Sequence, residues 1–418
     1  MRRRDFLKTT SGAAAAALTM RLGGTANASI AGVDPVAAKK EYLLSIMPSR
    51  QQVQDFLAGC QGPEDLSRNQ GWLFDSNLGW VLCDSIRGRS VDGSKGFYSY
   101  EEDGARKVIN AAGRPCRIHT YGNSFTHCDQ VSDGETWQEY LAAHIQEPIR
   151  NYGVGGYSVY QAYRRMLRVE KANSDDYIIL NIWDDDHYRN LDSWRSIRTG
   201  RRTSAGYTLP HLRVNVQQDH CEQVENVCRK PEDVYKLCDQ ESVWQMFKDD
   251  PILHVVWVLR QGKGISPESV TSIARSLGVS VGAFEGLEPQ QQARQIRTEA
   301  ALYATKNVVT WTERFAREND KKLMIILSFS QSNIAKDLEG QPRFDQSFVD
   351  WLEDKTYPVV DMRDYFRADF ESYRGKANEY LRRYYIGHHT PAGNFFTAWA
   401  IKSQVVKWLK PQPRPYSR

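Results

Sequence analysis

The sequence predicts an α/β protein built on a parallel sheet covered by helices on both faces. Two observations predict it. Between residues 117 and 183, short β-prone runs alternate with amphipathic stretches, as a parallel sheet and its crossover helices require. The alternation resumes between residue 300 and the last helix, over residues 393–409.

The elements follow in chain order. Residues 37–57 predict a helix, because Tyr42, Leu43, Ile46, Val53 and Phe56 share a stripe. Residues 72–82 are aromatic-rich and predict short strands or an irregular arm. Residues 88–96, polar and Gly-punctuated, predict a loop. Strands are expected at 117–121, 149–154 and 177–183, with helices at 136–143 and 159–167 between them. The pattern breaks over 195–292, which mixes charges, Pro, Cys and short helical pieces. Within it, 251–259 reads as a strand and 267–277 as a small helix, and the whole stretch is expected to be an insertion or lid. A helix at 300–319, a strand at 323–329, a helix at 344–352 and a strand at 359–362 complete the reading.

Residues 2–8 read Arg2-Arg3-Arg4-Asp5-Phe6-Leu7-Lys8, followed by an uncharged run to Met20 and then Ala26-Asn27-Ala28. Basic head, apolar middle and small-residue cleavage site are the three parts of an export signal. The Arg3-Arg4 head resembles the twin-arginine type. Residues 1–28 are therefore expected to be removed, leaving a periplasmic or extracellular protein, and residues 29–110 to form an N-terminal extension. The formal charge of the 418 residues is +4. Residues 1–28 hold four Arg, one Lys and one Asp, so the remainder is near neutral and no nucleic-acid partner is expected. The 11 Trp and 21 Tyr give weak support for a carbohydrate ligand. Of the seven Cys, Cys221, Cys228 and Cys238 cluster. An exported chain permits a Cys221–Cys228 or a Cys228–Cys238 disulfide. The spacing fits no paired zinc motif.

The chemistry-bearing segments lie far apart. In Arg117-Ile118-His119-Thr120-Tyr121-Gly122-Asn123-Ser124-Phe125-Thr126 a strand runs into a Gly and then a Ser where a helix can begin. That context lifts a hydroxyl to the sheet edge beside backbone N–H groups, although Ser also caps helices. Gly387-His388-His389-Thr390-Pro391-Ala392-Gly393-Asn394 puts a His-bearing loop before the last helix. A Ser hydroxyl needs a base to take its proton and donors to hold the oxyanion formed on attack.

These blocks resemble those of the SGNH hydrolases, also called GDSL esterases, over residues 110–195 and 300–410. Tyr121-Gly122-Asn123-Ser124-Phe125-Thr126 is similar to the first block, which carries the nucleophile. Asn151-Tyr152-Gly153-Val154-Gly155-Gly156-Tyr157 is similar to the second, whose last Gly offers an oxyanion N–H. Tyr177-Ile178-Ile179-Leu180-Asn181-Ile182-Trp183-Asp184-Asp185-Asp186 falls where the third lies, and the segment from Gly387 to Asn394 is similar to the fifth. The resemblance implies a flavodoxin-like three-layer α/β/α sandwich over 111–418 with 195–292 as its insertion. It implies Ser124 as nucleophile, His388 as base (five residues before Gly393, hence preferred to His389) and Gly156 as oxyanion donor. The implied activity is hydrolysis of an acetyl or other acyl ester, with a carbohydrate or small-molecule substrate and no metal or organic cofactor.

Three positions depart from the pattern. Asn123 stands where the family has Asp. Asp185 stands where an Asn amide donates to the oxyanion; a protonated Asp185 can donate, and otherwise Asn181 or Asn190 substitutes. Tyr385 stands where an Asp three residues before the His is usual, so His388 is left to a backbone carbonyl, another carboxylate or no partner. Two other readings follow from the departures. Asp184 and Asp186, if on alternate strand positions, form an acid/base or cation site for a glycoside hydrolase or polysaccharide lyase. Or the chain is a non-catalytic glycan-binding protein.

Overall fold

The computed structural model describes residues 34–60, 66–88, 93–171, 176–201 and 208–417. The export signal read at residues 1–28 lies outside the described residues. Five strands make one parallel sheet: β1 (Ile118–Tyr121), β2 (Arg150–Asn151), β3 (Tyr177–Trp183), β4 (Lys322–Ser328) and β5 (Val359–Asp361), in the order β2-β1-β3-β4-β5. This is the order of flavodoxin-type doubly wound sheets, and its direction reverses between β1 and β3. Side chains of β3 and β4 are buried almost throughout, which is why both strands read as predominantly apolar runs.

The helices follow from the topology. The β1–β2 connection carries α1 (Ser124–His127) and α2 (Trp137–Ile145); the β2–β3 connection carries α3 (Val159–Glu170). Right-handed crossovers running in opposite directions put α2 and α3 on opposite faces. The last helix, α7 (Pro391–Trp408), packs on α2 and on α6 (Met362–Phe370), whereas the 30-residue α5 (Pro289–Glu318) packs on α3 and on the short α4 (Asp186–Arg189). Each begins on a readable signal: Ser158 and Gln161 form a capping box for α3, and Thr390 caps α7 with Pro391 at its first position.

Residues 195–292 form an antiparallel hairpin (His211–Asn215 with His220–Val224) and helices Gln240–Phe247, Pro251–Arg260 and Pro267–Leu277. The strand expected at 251–259 is a helix. Periodicity cannot separate a short apolar run of either kind; the deciding signal is Asp250, whose carboxylate caps Ile252 N at 2.7 Å and Leu253 N at 3.2 Å ahead of Pro251. The single helix expected at 37–57 is two, Pro35–Ile46 and Arg50–Leu57, because Pro48 interrupts it and Ser49 starts the second with a capping box. The disulfide joins Cys60 to Cys83 across the hairpin Trp72–Asp75/Gly79–Leu82, and Cys221, Cys228 and Cys238 are free thiols. Clustering in sequence misled here: Cys228 is buried, Cys221 and Cys238 are half-buried, and none of the three is in a disulfide. Among the described residues no helix is long and apolar enough to cross a membrane.

Candidate active site at the sheet switch point

In open α/β sheets the crevice beyond the strand C-termini at the switch point is where ligands bind, and here it receives the ends of β1 and β3. β1 leaves the sheet through Gly122 (φ 154°), where an added Cβ would stand 2.1 Å from Thr126 Oγ1 and 2.6 Å from the Asn181 carbonyl oxygen. Only Gly permits that close passage. Asn123 Oδ1 then accepts from Phe125 N at 2.8 Å, so Asn123 caps α1 and Ser124 is left at its first turn with a free hydroxyl role. The capping explanation for Ser124 therefore does not hold.

Ser124 and His388, 264 residues apart, meet: Ser124 Oγ lies 2.9 Å from His388 Nε2. The other ring nitrogen, Nδ1, lies 2.9 Å from Gln130 Oε1, which also accepts from the His388 backbone N–H at 3.0 Å. An amide oxygen only accepts, so Nδ1 carries the proton and Nε2 is free to receive one from Ser124. Burial lowers the His388 pKa from its ordinary value; nearby Asp129 offsets part of this and Arg189 adds to it. The imidazole is thus neutral and basic near neutral pH.

The loop behind the nucleophile is held by residues of the N-terminal stretch. Cys128 and Gln130 adopt left-handed backbone (φ 64° and 75°). Arg106 is 2% exposed and clamps that turn, donating to the carbonyls of His127 (2.6 Å), Cys128 (3.0 Å) and Val131 (2.5 Å) and to Asp133 Oδ1 (2.8 Å). Tyr98 OH accepts from Gln130 N at 2.7 Å, and Tyr100 OH lies 2.7 Å from His127 Nε2. His127 Nδ1 in turn bonds Asp129 Oδ1, and Asp129 Oδ2 lies 3.9 Å from His388 Nε2. Removing Arg106 leaves Asp133 charged and buried and three carbonyls without their donor. Arg106→Ala is expected to cost about 3–5 kcal/mol, read as a lowered guanidinium midpoint; an unchanged midpoint would contradict the clamp.

The second block closes against the first. Gly153 passes so near α1 that a Cβ there would stand 2.3 Å from His127 N, and a Cβ on Gly155 would stand 3.0 Å from Asp129 Oδ2. Gly156 has φ 83° and gives its carbonyl to Arg195. Among the described residues the N–H groups of Ser124, Gly155 and Gly156 have no acceptor.

The carboxylates after β3 behave differently from the expectation. Asp185 is not a protonated donor. Burial alone would raise its pKa, but Arg198 (2.9 and 3.0 Å, bidentate) and Arg189 (2.9 Å) outweigh burial and hold it far below the usual range. Asn190 is committed to Tyr160 N and Thr305 Oγ1. Asn181 is buried within β3, and its Oδ1 has no partner. The paired-carboxylate site is not formed either, because β3 ends at Trp183 and the alternation of a strand stops there. Asp184 turns to Ser330 N (2.8 Å), Ser330 Oγ (2.7 Å) and Asn333 Nδ2 (2.5 Å), fastening the loop after β4. Asp186 accepts from Asn123 Nδ2 (2.8 Å), Trp183 N (3.1 Å) and Arg189 Nη1 (3.0 Å), and burial pushes its pKa up to about 7. This contact also accounts for Asn123: an amide at that position caps α1 with its oxygen and donates to Asp186 with its nitrogen, which a carboxylate cannot do.

His389 is a core residue. It packs edge-on to Phe125 and Tyr385 (centroids 5.0 and 4.9 Å), and burial lowers its pKa to about 3. Tyr385 donates its hydroxyl to the Phe329 carbonyl at 3.1 Å and takes no part in orienting His388. The residue that does, Gln130, was missed by the sequence reading along with Asp129, His127 and Arg106. Its signal was present: the polar run His127-Cys128-Asp129-Gln130 follows the nucleophile block directly.

Fold and site together define a doubly wound α/β protein with a hydrogen-bonded Ser–His pair at its switch point. No family model and no curated protein matches the chain. Among solved structures it is similar to LAE5, an alpha/beta hydrolase enzyme from the metagenome of Lake Arreo, Spain, at 10% identity and a TM-score of 0.33, over 71% of this chain and 97% of that one.

Proposed function

We propose that the chain is a serine-dependent ester hydrolase of the SGNH type, exported by its twin-arginine signal and acting on acetyl or other acyl groups of a carbohydrate. The observation that carries the reading is the 2.9 Å contact of Ser124 Oγ with a His388 whose Nδ1 proton is fixed by Gln130. In this mechanism Ser124 attacks the acyl carbon while His388 Nε2 takes its proton. The backbone N–H groups of Ser124 and Gly156 receive the oxyanion. His388 returns the proton to the leaving sugar hydroxyl, and a water activated by the same nitrogen releases the acyl group. The carbohydrate part of the reading rests on the chain's 11 Trp and 21 Tyr; Phe125 and Tyr98 are themselves buried in the packing around Ser124.

The direct test is covalent labelling. A fluorophosphonate ester is expected to modify Ser124 alone, as read by peptide mass spectrometry; labelling elsewhere, or none, would refute the nucleophile. The pH profile adds a second check. A base with a lowered pKa stays neutral to lower pH, so the midpoint of the acid limb of kcat/KM for an aryl acetate should lie below the ordinary imidazole value. A midpoint above the ordinary imidazole value would assign the base elsewhere.

A further inference from the structure

The family-type position for an acid, three residues before His388, holds Tyr385, and the group on His388 Nδ1 is a neutral amide. A neutral acceptor fixes orientation and tautomer but offers little to the imidazolium that forms when Ser124 gives up its proton. The structure puts a negative charge on the opposite edge of the ring instead. Asp129 Oδ2 lies 3.9 Å from His388 Nε2 and, among the described residues, makes no hydrogen bond of its own, while Oδ1 is tied to His127 Nδ1. His127 is itself fixed by the Tyr100 hydroxyl on Nε2 and by the ring contacts of Tyr98 and Tyr100.

Resting on the hydrolase reading above, we propose that the work of a conventional triad acid is divided here between two residues: Gln130 orients His388 from Nδ1, and Asp129 supplies the stabilising charge from the Nε2 side. Both are positioning residues that act through His388. The division requires that His127 leave the charge of Asp129 intact. Burial lowers the His127 pKa, against the pull of Asp129, so it bonds as a neutral ring. The Asp129 carboxyl is held well below its usual range: burial would raise it, but the hydrogen bond from His127, the Arg106 charge and the His388 charge when that ring is protonated prevail. The remaining charged groups near the ring do not duplicate the role. Arg106 is matched by Asp133, Arg189 by Asp185 and Asp186, and His389, the sequence neighbour, is neutral.

Two readouts separate this division from a structural role. Histidine Cε1–H NMR reports the His388 pKa whether or not an ester turns over, and pH-dependent kinetics on an aryl acetate report kcat and KM. Charges about 4 Å apart near a protein surface shift a pKa by on the order of one unit or more. Asp129→Asn is therefore expected to lower the His388 pKa by about one unit and kcat about tenfold, with KM unchanged. Adding Gln130→Glu to Asp129→Asn should return both, because the charge is restored on the other edge. Asp129→Ser, which keeps a small acceptor for His127, repeats the measurement if the Asn variant does not fold. An unmoved His388 pKa, or a rise in KM at constant kcat, would overturn the proposal and make Asp129 a substrate contact. Loss of the hydrolase reading would show separately, as equal ester hydrolysis by the parent and Ser124→Ala, with the NMR result still standing.

Discussion

Replacing Ser124 by Ala is expected to lower kcat for aryl acetate hydrolysis by at least about 10³-fold. The substitution removes one oxygen from a residue that caps nothing, since Asn123 caps α1, so stability should change little and the loss should appear in kcat. His388 loses its only proton donor at Nε2, and the residual rate comes from the oxyanion donors and binding. Because nucleophile and base act as one unit, Ser124→Ala/His388→Ala should be no slower than either single variant. Rates that multiplied, or a Ser124→Ala variant as fast as the parent, would mean that these two groups do not carry the reaction.

Replacing Gln130 by Leu is expected to cost about 10²–10³-fold in kcat with a small effect on KM. Gln130 Oε1 holds two N–H groups of the same residue, the ring Nδ1 and the backbone nitrogen of His388. Leu fills the space but accepts neither. The ring is then free to turn, and the tautomer with its proton on Nε2 cannot accept from Ser124. The loss of a right tautomer is costly even where geometry survives. Gln130→Glu keeps both acceptors and adds charge, so it should retain activity and move the acid limb upward, since a carboxylate beside an imidazole favours its cation. If Leu and Glu fell equally, orientation from Nδ1 would not be what Gln130 provides.

Much of this site was legible before any coordinates. The alternation of strand and helix predicted the parallel sheet because buried parallel strands are predominantly apolar, and Tyr177–Trp183 is so but for Asn181. Ser124 and His388, which the structure brings into contact, stood out because each lies at a loop–helix junction that sequence marks with Gly, Asn, Thr or Pro. What remained hidden depended on side-chain direction. Asp184, Asp185 and Asp186 are adjacent in sequence yet point to Asn333, Arg198 and Asn123, because the strand ends before them and the alternation rule lapses. Gln130 was hidden for a different reason. The polar run from His127 to Gln130 is visible in the sequence, but which of its side chains turns toward His388 depends on the left-handed backbone at Cys128 and Gln130, which non-glycine residues do not advertise. The helix Pro251–Arg260 was misread because its apolar run is too short for its period to show.

Arg106, Tyr98 and Tyr100 come from the stretch that the sequence reading set apart as an extension, yet they brace the turn that carries Asp129 and Gln130. An expression fragment beginning at residue 111 would keep Ser124, His388 and every strand of the sheet. It would nonetheless be expected to yield a protein unable to turn over ester, recoverable by adding back a peptide spanning residues 95–110. Whoever trims this chain for engineering should count those sixteen residues as part of the proposed site.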